Sequence, residues 1–458
     1  MKHWLQTYKP ELSETLRLSI PIVIAQLGVV LMGVTDNIFV GRLLGPVALG
    51  AAGLAVSLTF LISSIGVGGL AVVASLVSQA RGQNDPARIH QLHRAGIRVA
   101  LLLSAVLGLV GAGLAWSFGI FRQTPQVTEL ARNFMLILSV SNIPLFLFVA
   151  ARQLCDGLAY PRVAMGITLS ALLVNALFNW LLILGVGPFP EMGLYGSATA
   201  TLISRIYMAV AILVYIHRTS AFQPYFREEY RWLPIRDEVR QVLRLGLPGG
   251  MIFFFEVATF SLAQVMVGWL GEVQLAAHQI ALNMASTTYM MATGISSAGA
   301  IRVGNAVGRQ SRLLVRRAGV AAFVLSAVFM SLCALLFLTA NDWLVSLYIR
   351  DNPEVMTLAA SLLIMAGIFQ LSDGIQVVGV GALRGLSDVN VPTIITLFAY
   401  WVVAMPVSYL LGIRMGMGAA GVWVGLLVGL SLAAVLLTML FFRRLKRVPE
   451  TKEHSSIA

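Results

Sequence analysis

The sequence predicts an all-α membrane protein, with twelve transmembrane helices in two pseudo-symmetric six-helix lobes around a central cleft. Three observations support this prediction: the apolar composition, the succession of long apolar spans, and an internal repeat. Of the 458 residues, 58% are hydrophobic and only 11% are charged, whereas soluble domains carry about 25% charged residues. We therefore expect most of the chain to lie within a membrane.

Twelve apolar spans each approach or exceed the roughly 20 residues that a transmembrane helix needs. They cover residues 17–40, 49–79, 95–118, 131–154, 163–186, 194–217, 241–270, 276–301, 315–339, 356–382, 391–412 and 418–442. The longer spans predict helices that are tilted or that extend beyond the bilayer.

The basic residues are concentrated in alternate loops. Arginine-rich segments follow the second, sixth, eighth and twelfth spans, at residues 81–98, 218–244, 302–317 and 443–447. By the positive-inside rule, both termini are expected in the cytoplasm. We expect an integral plasma-membrane protein, in the inner membrane of a bacterium. Topology and lipid headgroups account for these clusters, so the net charge of +12 does not indicate a nucleic-acid partner.

The two halves of the chain resemble each other. LLGPVALGAAGLA (43–55) is similar to LGEVQLAAHQIAL (270–282), and the loop 78–96 is similar to 304–319. Each copy holds six spans, so both copies enter the membrane in the same orientation, as in transporters with parallel repeats.

The repeat and the longest polar connection predict the domain boundaries. We expect an N-lobe at 1–217, a cytoplasmic linker at 218–240, and a C-lobe at 241–458 that ends in a short basic tail. Two such bundles around a central cleft are typical of secondary transporters.

Three acids, Asp36, Glu256 and Asp373, fall inside apolar spans. An ionised carboxylate at the centre of a membrane helix costs at least about 2.5 kcal/mol. Such acids indicate an ion-coupled machine. They do not occupy equivalent positions in the two copies, so we expect the lobes to divide the ion chemistry unequally.

Polar side chains in the first half could serve Asp36. Asn175 and Asn179 are four residues apart, which places both amides on one helix face, and Thr199 and Thr201 lie in the next span. An acid with several such partners could hold a proton. The alternative role of the asparagine pair is hydrogen bonding between helices.

In the second half, Glu256 and Asp373 could share a proton or bind a monovalent cation such as Na⁺. His278 could serve in interhelical hydrogen bonding or as a proton relay. Aromatic and methionine side chains suit flat hydrophobic cations, although many face lipid or neighbouring helices. The candidates for a substrate cleft are Phe253, Phe260, His278, Gln279, Tyr289, Met290 and Phe369.

Several motifs are absent from the sequence. It has no GxxxxGK[ST], HExxH or GxSxG pattern, so neither an ATP motor nor a hydrolytic site is indicated. Cys155 and Cys333 are too few for a disulfide framework or a structural zinc site. We expect a protein that is not an enzyme and has no cofactor. We expect an ion gradient to supply the free energy for its activity.

Six stretches together resemble the multidrug and toxic compound extrusion (MATE) family, on its NorM-like branch. They read VTDNIFVGRLLG, NALFNW, FFEVATF, AAHQIALN, IRVGNAVG and QLSDGIQVVGVGALRGLSD. The resemblance as a whole covers essentially all twelve spans.

The resemblance implies a multidrug efflux antiporter that exports organic cations, antibiotics among them, in exchange for H⁺ or Na⁺ by alternating access. It places an N-lobe ion site at Asp36, Asn175, Asn179 and Thr201, and a C-lobe cation site at Glu256 and Asp373. Relatives with a proposed sodium site can have a tyrosine four residues before the last of these acids. Phe369 stands there in this chain, which weakens the case for Na⁺.

Two alternatives are a flippase for lipid-linked substrates in the same superfamily and a non-transporting membrane scaffold or sensor. A flippase for polyanionic substrates favours an arginine-rich cavity, whereas Arg205 is the only base well inside a span. A scaffold needs neither three membrane acids nor a repeat. The expected partners are small organic cations and membrane lipids, with no nucleic acid, and the expected state is a monomer.

Overall fold

The computed structural model describes residues 2–121 and 123–449. Met1, Arg122 and residues 450–458, which form the end of the predicted basic tail, lie outside the described residues. Within those two ranges the chain is helical and contains no β-strand, as the sequence predicts.

The chain divides into two compact units. The N-terminal unit covers Ile24–Phe254, and the C-terminal unit combines the residues up to Val23 with those from Phe255 onward. Helices α1 (Lys2–Leu44) and α8 (Arg236–Gly268) are each divided between the units. The predicted linker 218–240 belongs to the N-terminal unit. The lobe boundaries drawn from the repeat stay a prediction.

The N-terminal unit contains the second part of α1, the first part of α8 and six complete α-helices. These are α2 (Pro46–Leu70), α3 (Val72–Gly82), α4 (Pro86–Trp116), α5 (Pro125–Gly157), α6 (Pro161–Leu184) and α7 (Leu194–Arg218). Three short 3₁₀ turns lie at Phe118–Phe121, Ser220–Tyr225 and Glu228–Tyr230. Apolar side chains from these helices form two buried clusters within the unit.

The C-terminal unit contains the remaining parts of α1 and α8 and seven further α-helices. These are α9 (Glu272–Gly308), α10 (Arg312–Thr339), α11 (Asn341–Ser346), α12 (Pro353–Gly385), α13 (Asn390–Leu397), α14 (Met405–Tyr409) and α15 (Gly418–Leu445). One π-helical segment, Phe398–Ala404, joins α13 to α14, and a second, Leu410–Arg414, follows α14. Together they form one continuous span.

Eleven helical stretches among the described residues are long and apolar enough to cross a membrane. They agree with eleven of the twelve predicted spans. The remaining predicted span, 276–301, lies within α9, which is long enough but is not apolar enough to count among the eleven. Serine and threonine recur along α9 (Ser286, Thr287, Thr288, Thr293, Ser296, Ser297).

Several helix starts follow directly from local sequence. Asp85, Thr124 and Asn352 each accept a hydrogen bond from the backbone N–H three residues later. A proline follows each of them, at the helix position where a missing N–H is harmless. These caps fix where α4, α5 and α12 begin.

The internal repeat recurs in local geometry. A Cβ on Gly157 would lie 2.7 Å from the carbonyl oxygen of Ala74, and one on Gly385 would lie 2.7 Å from that of Ala300. In the first half Asn84 and Ala159 have positive φ, and in the second half Gln310 and Ser387 do. Because glycine and positive-φ positions are rare and specific, their recurrence indicates that the halves share one scaffold.

Candidate functional site

The first site is centred on Asp36 of α1, in the N-terminal unit. Asn175 and Asn179 of α6 donate from their amide nitrogens to Oδ1 of Asp36, at 3.0 and 2.7 Å. Thr201 of α7 donates from its hydroxyl to Oδ2, at 2.9 Å. The four residues predicted for the N-lobe ion site therefore lie in one hydrogen-bonded cluster.

Helix periodicity brings these partners together. Asn175 and Asn179 lie one turn apart on α6, which aims both amides at the same carboxylate. Both side chains are completely buried, whereas Asp36 is partly accessible. The amide oxygens of both asparagines have no hydrogen-bond partner among the described residues. The side chains around Asp36 thus supply hydrogen-bond donors from neutral groups, and the two asparagine amide oxygens remain as unused acceptors among the described residues.

Arg205 is a neighbour that the sequence did not assign to this site. It lies one helical turn after Thr201 on α7, donates to the hydroxyl of Ser141 at 2.6 Å, and interacts electrostatically with Asp36. Its spacing from Thr201 is the signal that could have placed it there. Asp36 therefore accepts its direct hydrogen bonds from neutral donors. The nearby positive charge of Arg205 makes its own hydrogen bond to Ser141.

The second site is centred on Glu256 of α8, in the C-terminal unit. The hydroxyl of Tyr289, on α9, donates to Oε2 of Glu256 at 2.9 Å. The hydroxyl of Tyr400, in the first π-helical segment, lies near the same carboxylate but makes no hydrogen bond among the described residues. Tyr289 had been predicted for the substrate cleft and Tyr400 had not been predicted at all. A tyrosine inside an apolar span normally finds a partner for its hydroxyl, which is the signal that was missed.

Asp373 of α12 belongs to this second site. It is 3% exposed and interacts electrostatically with Glu256. One turn earlier on the same helix, Gln370 donates to the hydroxyl of Thr288 at 2.7 Å. The structure thus brings Glu256 and Asp373, which lie far apart in the sequence, into one polar region inside the C-terminal unit.

His278 and Phe369 lie in the core of the C-terminal unit. The ring of His278 is fully buried and accepts a hydrogen bond from the indole of Trp423 at 3.0 Å. Phe369 packs on the same indole, with ring centroids 5.4 Å apart. This contact matches the interhelical hydrogen bonding that was one of the two roles considered for His278.

The other cleft candidates do not form one cluster. Phe253 belongs to the N-terminal unit, where its ring meets Phe60 edge to face at 6.1 Å. In the C-terminal unit, Phe260 packs against the core, Gln279 donates to Asn283 at 3.3 Å, and Met290 is half-buried. A substrate cleft at these residues stays a prediction.

The side chains of the described residues include no group of three or more histidine, cysteine, aspartate or glutamate residues placed to hold a metal ion. The predicted sodium ligands Glu256 and Asp373 are two carboxylates, and sodium binding there stays a prediction. Carboxylate and carbonyl oxygens are the donors that hard cations prefer.

Comparison with known proteins gives concordant results. The MatE family model matches residues 21–181 and 248–410. The chain is 34% identical over 442 residues to the probable multidrug resistance protein NorM of Rhizobium meliloti (strain 1021), covering 95% of this chain and 94% of the relative. It is 36% identical over 448 residues to that of Rhodopseudomonas palustris (strain ATCC BAA-98 / CGA009), covering 95% and 92%.

Solved structures share the fold at lower identity. The eukaryotic MATE transporter AtDTX14 superposes with a TM-score of 0.87 at 18% identity, covering 96% of this chain and 99% of that one. A transporter of the MOP superfamily from Pyrococcus furiosus superposes with a TM-score of 0.84 at 19% identity, covering 96% and 97%.

Proposed function

The chain belongs to the MATE family of multidrug efflux transporters, and we propose that it is a secondary active antiporter that exports organic cations in exchange for H⁺ or Na⁺. The observation that carries this proposal is the Asp36 cluster. A membrane acid held by two amides and a hydroxyl can exchange a cation, because its neutral partners leave its negative charge uncompensated by a direct ion pair.

The proton is the coupling ion that the Asp36 geometry supports best. The direct hydrogen bonds to Asp36 come from neutral groups. A carboxylate inside a membrane span without a bonded base is unfavourable when ionised. Binding a proton relieves this penalty, and the protonated acid could donate to one of the two unpartnered amide oxygens if that amide turned over.

Exchange follows if one carboxylate serves both cargoes. The ionised acid attracts an organic cation, and the protonated acid does not. Simultaneous binding of the proton and the organic cation is therefore disfavoured. Each of them shifts the transporter toward the conformation that binds it more tightly. In this cycle the transporter takes up a cation from the cytoplasm or the inner leaflet and releases it outside as the proton enters.

Glu256 and Asp373 form the proposed second ion site, in the C-lobe. Two carboxylates that interact can share one proton or hold one Na⁺. Phe369 supplies no hydroxyl and is buried against Trp423. The Tyr289 hydroxyl at Glu256 is the oxygen that would take its place in a sodium site.

We further propose that the protein acts as a monomer in the inner membrane of a bacterium, with both termini in the cytoplasm. The distribution of basic residues supports this orientation. Its substrates are amphipathic organic cations, and lipid is its other partner.

The test is transport by the purified protein in proteoliposomes that carry an imposed proton or sodium gradient. Ethidium is the cargo, and wild type is compared with Asp36→Asn, Glu256→Gln and the control Thr199→Val. Proton-driven transport that Asp36→Asn abolishes supports the proposal. If transport requires Na⁺ and Glu256→Gln abolishes this sodium-driven transport, the coupling site would lie in the C-lobe. Transport of no cation under either gradient would contradict the proposal and favour a lipid-linked substrate.

A further inference from the structure

A cavity of about 350 Å³ lies within the N-terminal unit, at the end that the basic loops predict to be cytoplasmic. Its walls come from the start of α4, the end of α7 and the linker residue Phe226. The volume is within the roughly 300–1,000 Å³ of pockets that bind small ligands. Neither proposed ion site includes any of its residues.

Three histidines surround the ring of the linker residue Phe226. The ring of Phe226 lies 5.2 Å from that of His90, 5.5 Å from that of His93 and 5.1 Å from that of His217, measured between centroids. Imidazole rings from α4 and α7 therefore converge around Phe226 and pack against its ring. Each imidazole can donate a hydrogen bond from a ring nitrogen.

The remaining polar lining is positive. Arg94 and Arg98 lie one turn apart on α4, and the lining includes no acid. Two of the linker acids pair with other arginines, Glu229 with Arg227 at 3.5 Å and Glu228 with Arg231 at 3.7 Å. The cavity thus keeps the charges of its two arginines.

One of the histidines has an unused polar atom. His93 is only 5% exposed, and its Nδ1 has no hydrogen-bond partner among the described residues. Buried polar atoms are normally hydrogen-bonded, so an orphan atom that lines a cavity indicates a missing ligand. Arg94 is fixed in place by its bond to the carbonyl of Leu233 at 3.1 Å, which gives the site a preorganised wall.

We propose that this cavity binds a phosphate group, carried by the headgroup of an anionic phospholipid or free in the cytoplasm. Arginine and imidazole donors are the groups that recognise phosphate oxygens. The apolar part of the lining, Ile97, Leu213 and Phe226, suits the glycerol and first methylenes of a lipid. The bound phosphate would tie α4, α7 and the linker together.

Native mass spectrometry of the full-length protein in detergent tests the site. Phosphatidylglycerol and phosphatidylcholine are titrated separately, and inorganic phosphate is titrated by calorimetry. Wild type is compared with Arg98→Gln and His93→Gln. The control is Arg316→Gln, which removes an equally exposed arginine near the start of α10, outside the cavity.

We expect phosphatidylglycerol to bind more tightly than phosphatidylcholine, and Arg98→Gln to weaken it about fivefold, the effect of one basic residue at an anionic headgroup. His93→Gln should weaken it as well, and Arg316→Gln should leave it unchanged. Saturable binding of inorganic phosphate with the same response to Arg98→Gln would identify the free anion as the ligand. Equal binding of both lipids without phosphate binding, or equal losses in Arg98→Gln and Arg316→Gln, would overturn the proposal.

Discussion

At the scale of single residues, the distinctive feature is a membrane carboxylate that receives its direct hydrogen bonds from neutral groups. The sequence predicted the members of the Asp36 cluster because helix periodicity places Asn175 and Asn179 on one face and the family resemblance groups both with Asp36 and Thr201. It could not predict that Tyr289 and Tyr400 lie near Glu256, since those contacts join segments distant in the chain. Nor could it place Phe369 in the core, because apolar spans look alike whether they face lipid, cleft or protein.

Thr201 provides the sharpest test of the Asp36 cluster. Thr201→Val removes the 2.9 Å hydrogen bond to Asp36 while nearly keeping the side-chain volume. A hydrogen bond to a charged group contributes about 1.5–3 kcal/mol, so we expect proton-driven ethidium transport in proteoliposomes to fall about tenfold or more.

Thr199→Val is the matched control, since the Thr199 hydroxyl bonds to the Tyr195 carbonyl of its own helix at 2.8 Å. Its transport rate should stay near wild type. Equal losses in the two variants would show that the hydroxyl at Asp36 has no special role.

Tyr289 tests the second site in the same way. Tyr289→Phe removes the hydroxyl at Glu256 and leaves the ring. If Glu256 exchanges an ion, we expect the ion concentration at half-maximal transport to change by about fivefold to tenfold, the effect of one hydrogen bond to an ionisable group. Tyr409→Phe, on an exposed tyrosine beside Arg414, should have no effect. An unchanged ion dependence in Tyr289→Phe would separate this hydroxyl from coupling.

At the scale of helices, glycine controls how α8 meets α2 inside the N-terminal unit. Gly246 and Gly250 of α8 approach Gly69 and the carbonyl of Ile65, with no room for a side chain. Small residues permit such close helix contacts in membranes. The sequence showed these glycines but not their partners, since a helix face alone does not identify its neighbour.

Gly250→Ala should destabilise this crossing, because its Cβ would overlap the carbonyl oxygen of Ile65. Overpacking of this kind costs about 1–3 kcal/mol, so we expect a lower apparent Tm for the purified protein in detergent. Gly249→Ala is the neighbouring control, since its Cβ would lie 3.6 Å from the nearest atom, the carbonyl oxygen of Gly68. A loss of stability in Gly249→Ala as large as that in Gly250→Ala would contradict the described crossing.

The π-helical segments are the element that sequence patterns did not predict. They flank α14, in which Pro406 lacks a backbone N–H and so cannot continue the regular ladder. The hydropathy of the span was sufficient to predict that it is helical. Hydropathy does not show which backbone carbonyl accepts the hydrogen bond of each N–H group, so the π-helical turns could not be predicted from it.

At the scale of the whole molecule, one scaffold occurs twice while the acids differ between the halves. The repeat was visible in sequence because glycines and turn residues recur at fixed spacing, and these positions reflect backbone constraints. The division into units was less visible. The unit boundaries lie inside α1 and α8, where continuous helix leaves no change of composition to detect.

The repeat predicts paired effects on stability. Gly157→Ala and Gly385→Ala would each place a Cβ 2.7 Å from a backbone carbonyl oxygen and within 3 Å of a valine side chain. We expect both variants to lower the apparent Tm by similar amounts. Gly166→Ala, where nothing lies within 4 Å, should leave the Tm unchanged. A large loss in only one of the pair would show that the halves are not equivalent there.

Proton release on cation binding tests the central proposal most directly. Tetraphenylphosphonium is added to the purified protein in weakly buffered detergent solution, and the protons released are measured while binding is followed in parallel. We expect release that follows saturation in wild type and in Thr199→Val, and that is lost in Asp36→Asn. Saturable binding without proton release in wild type, or release that persists in Asp36→Asn, would contradict exchange at Asp36.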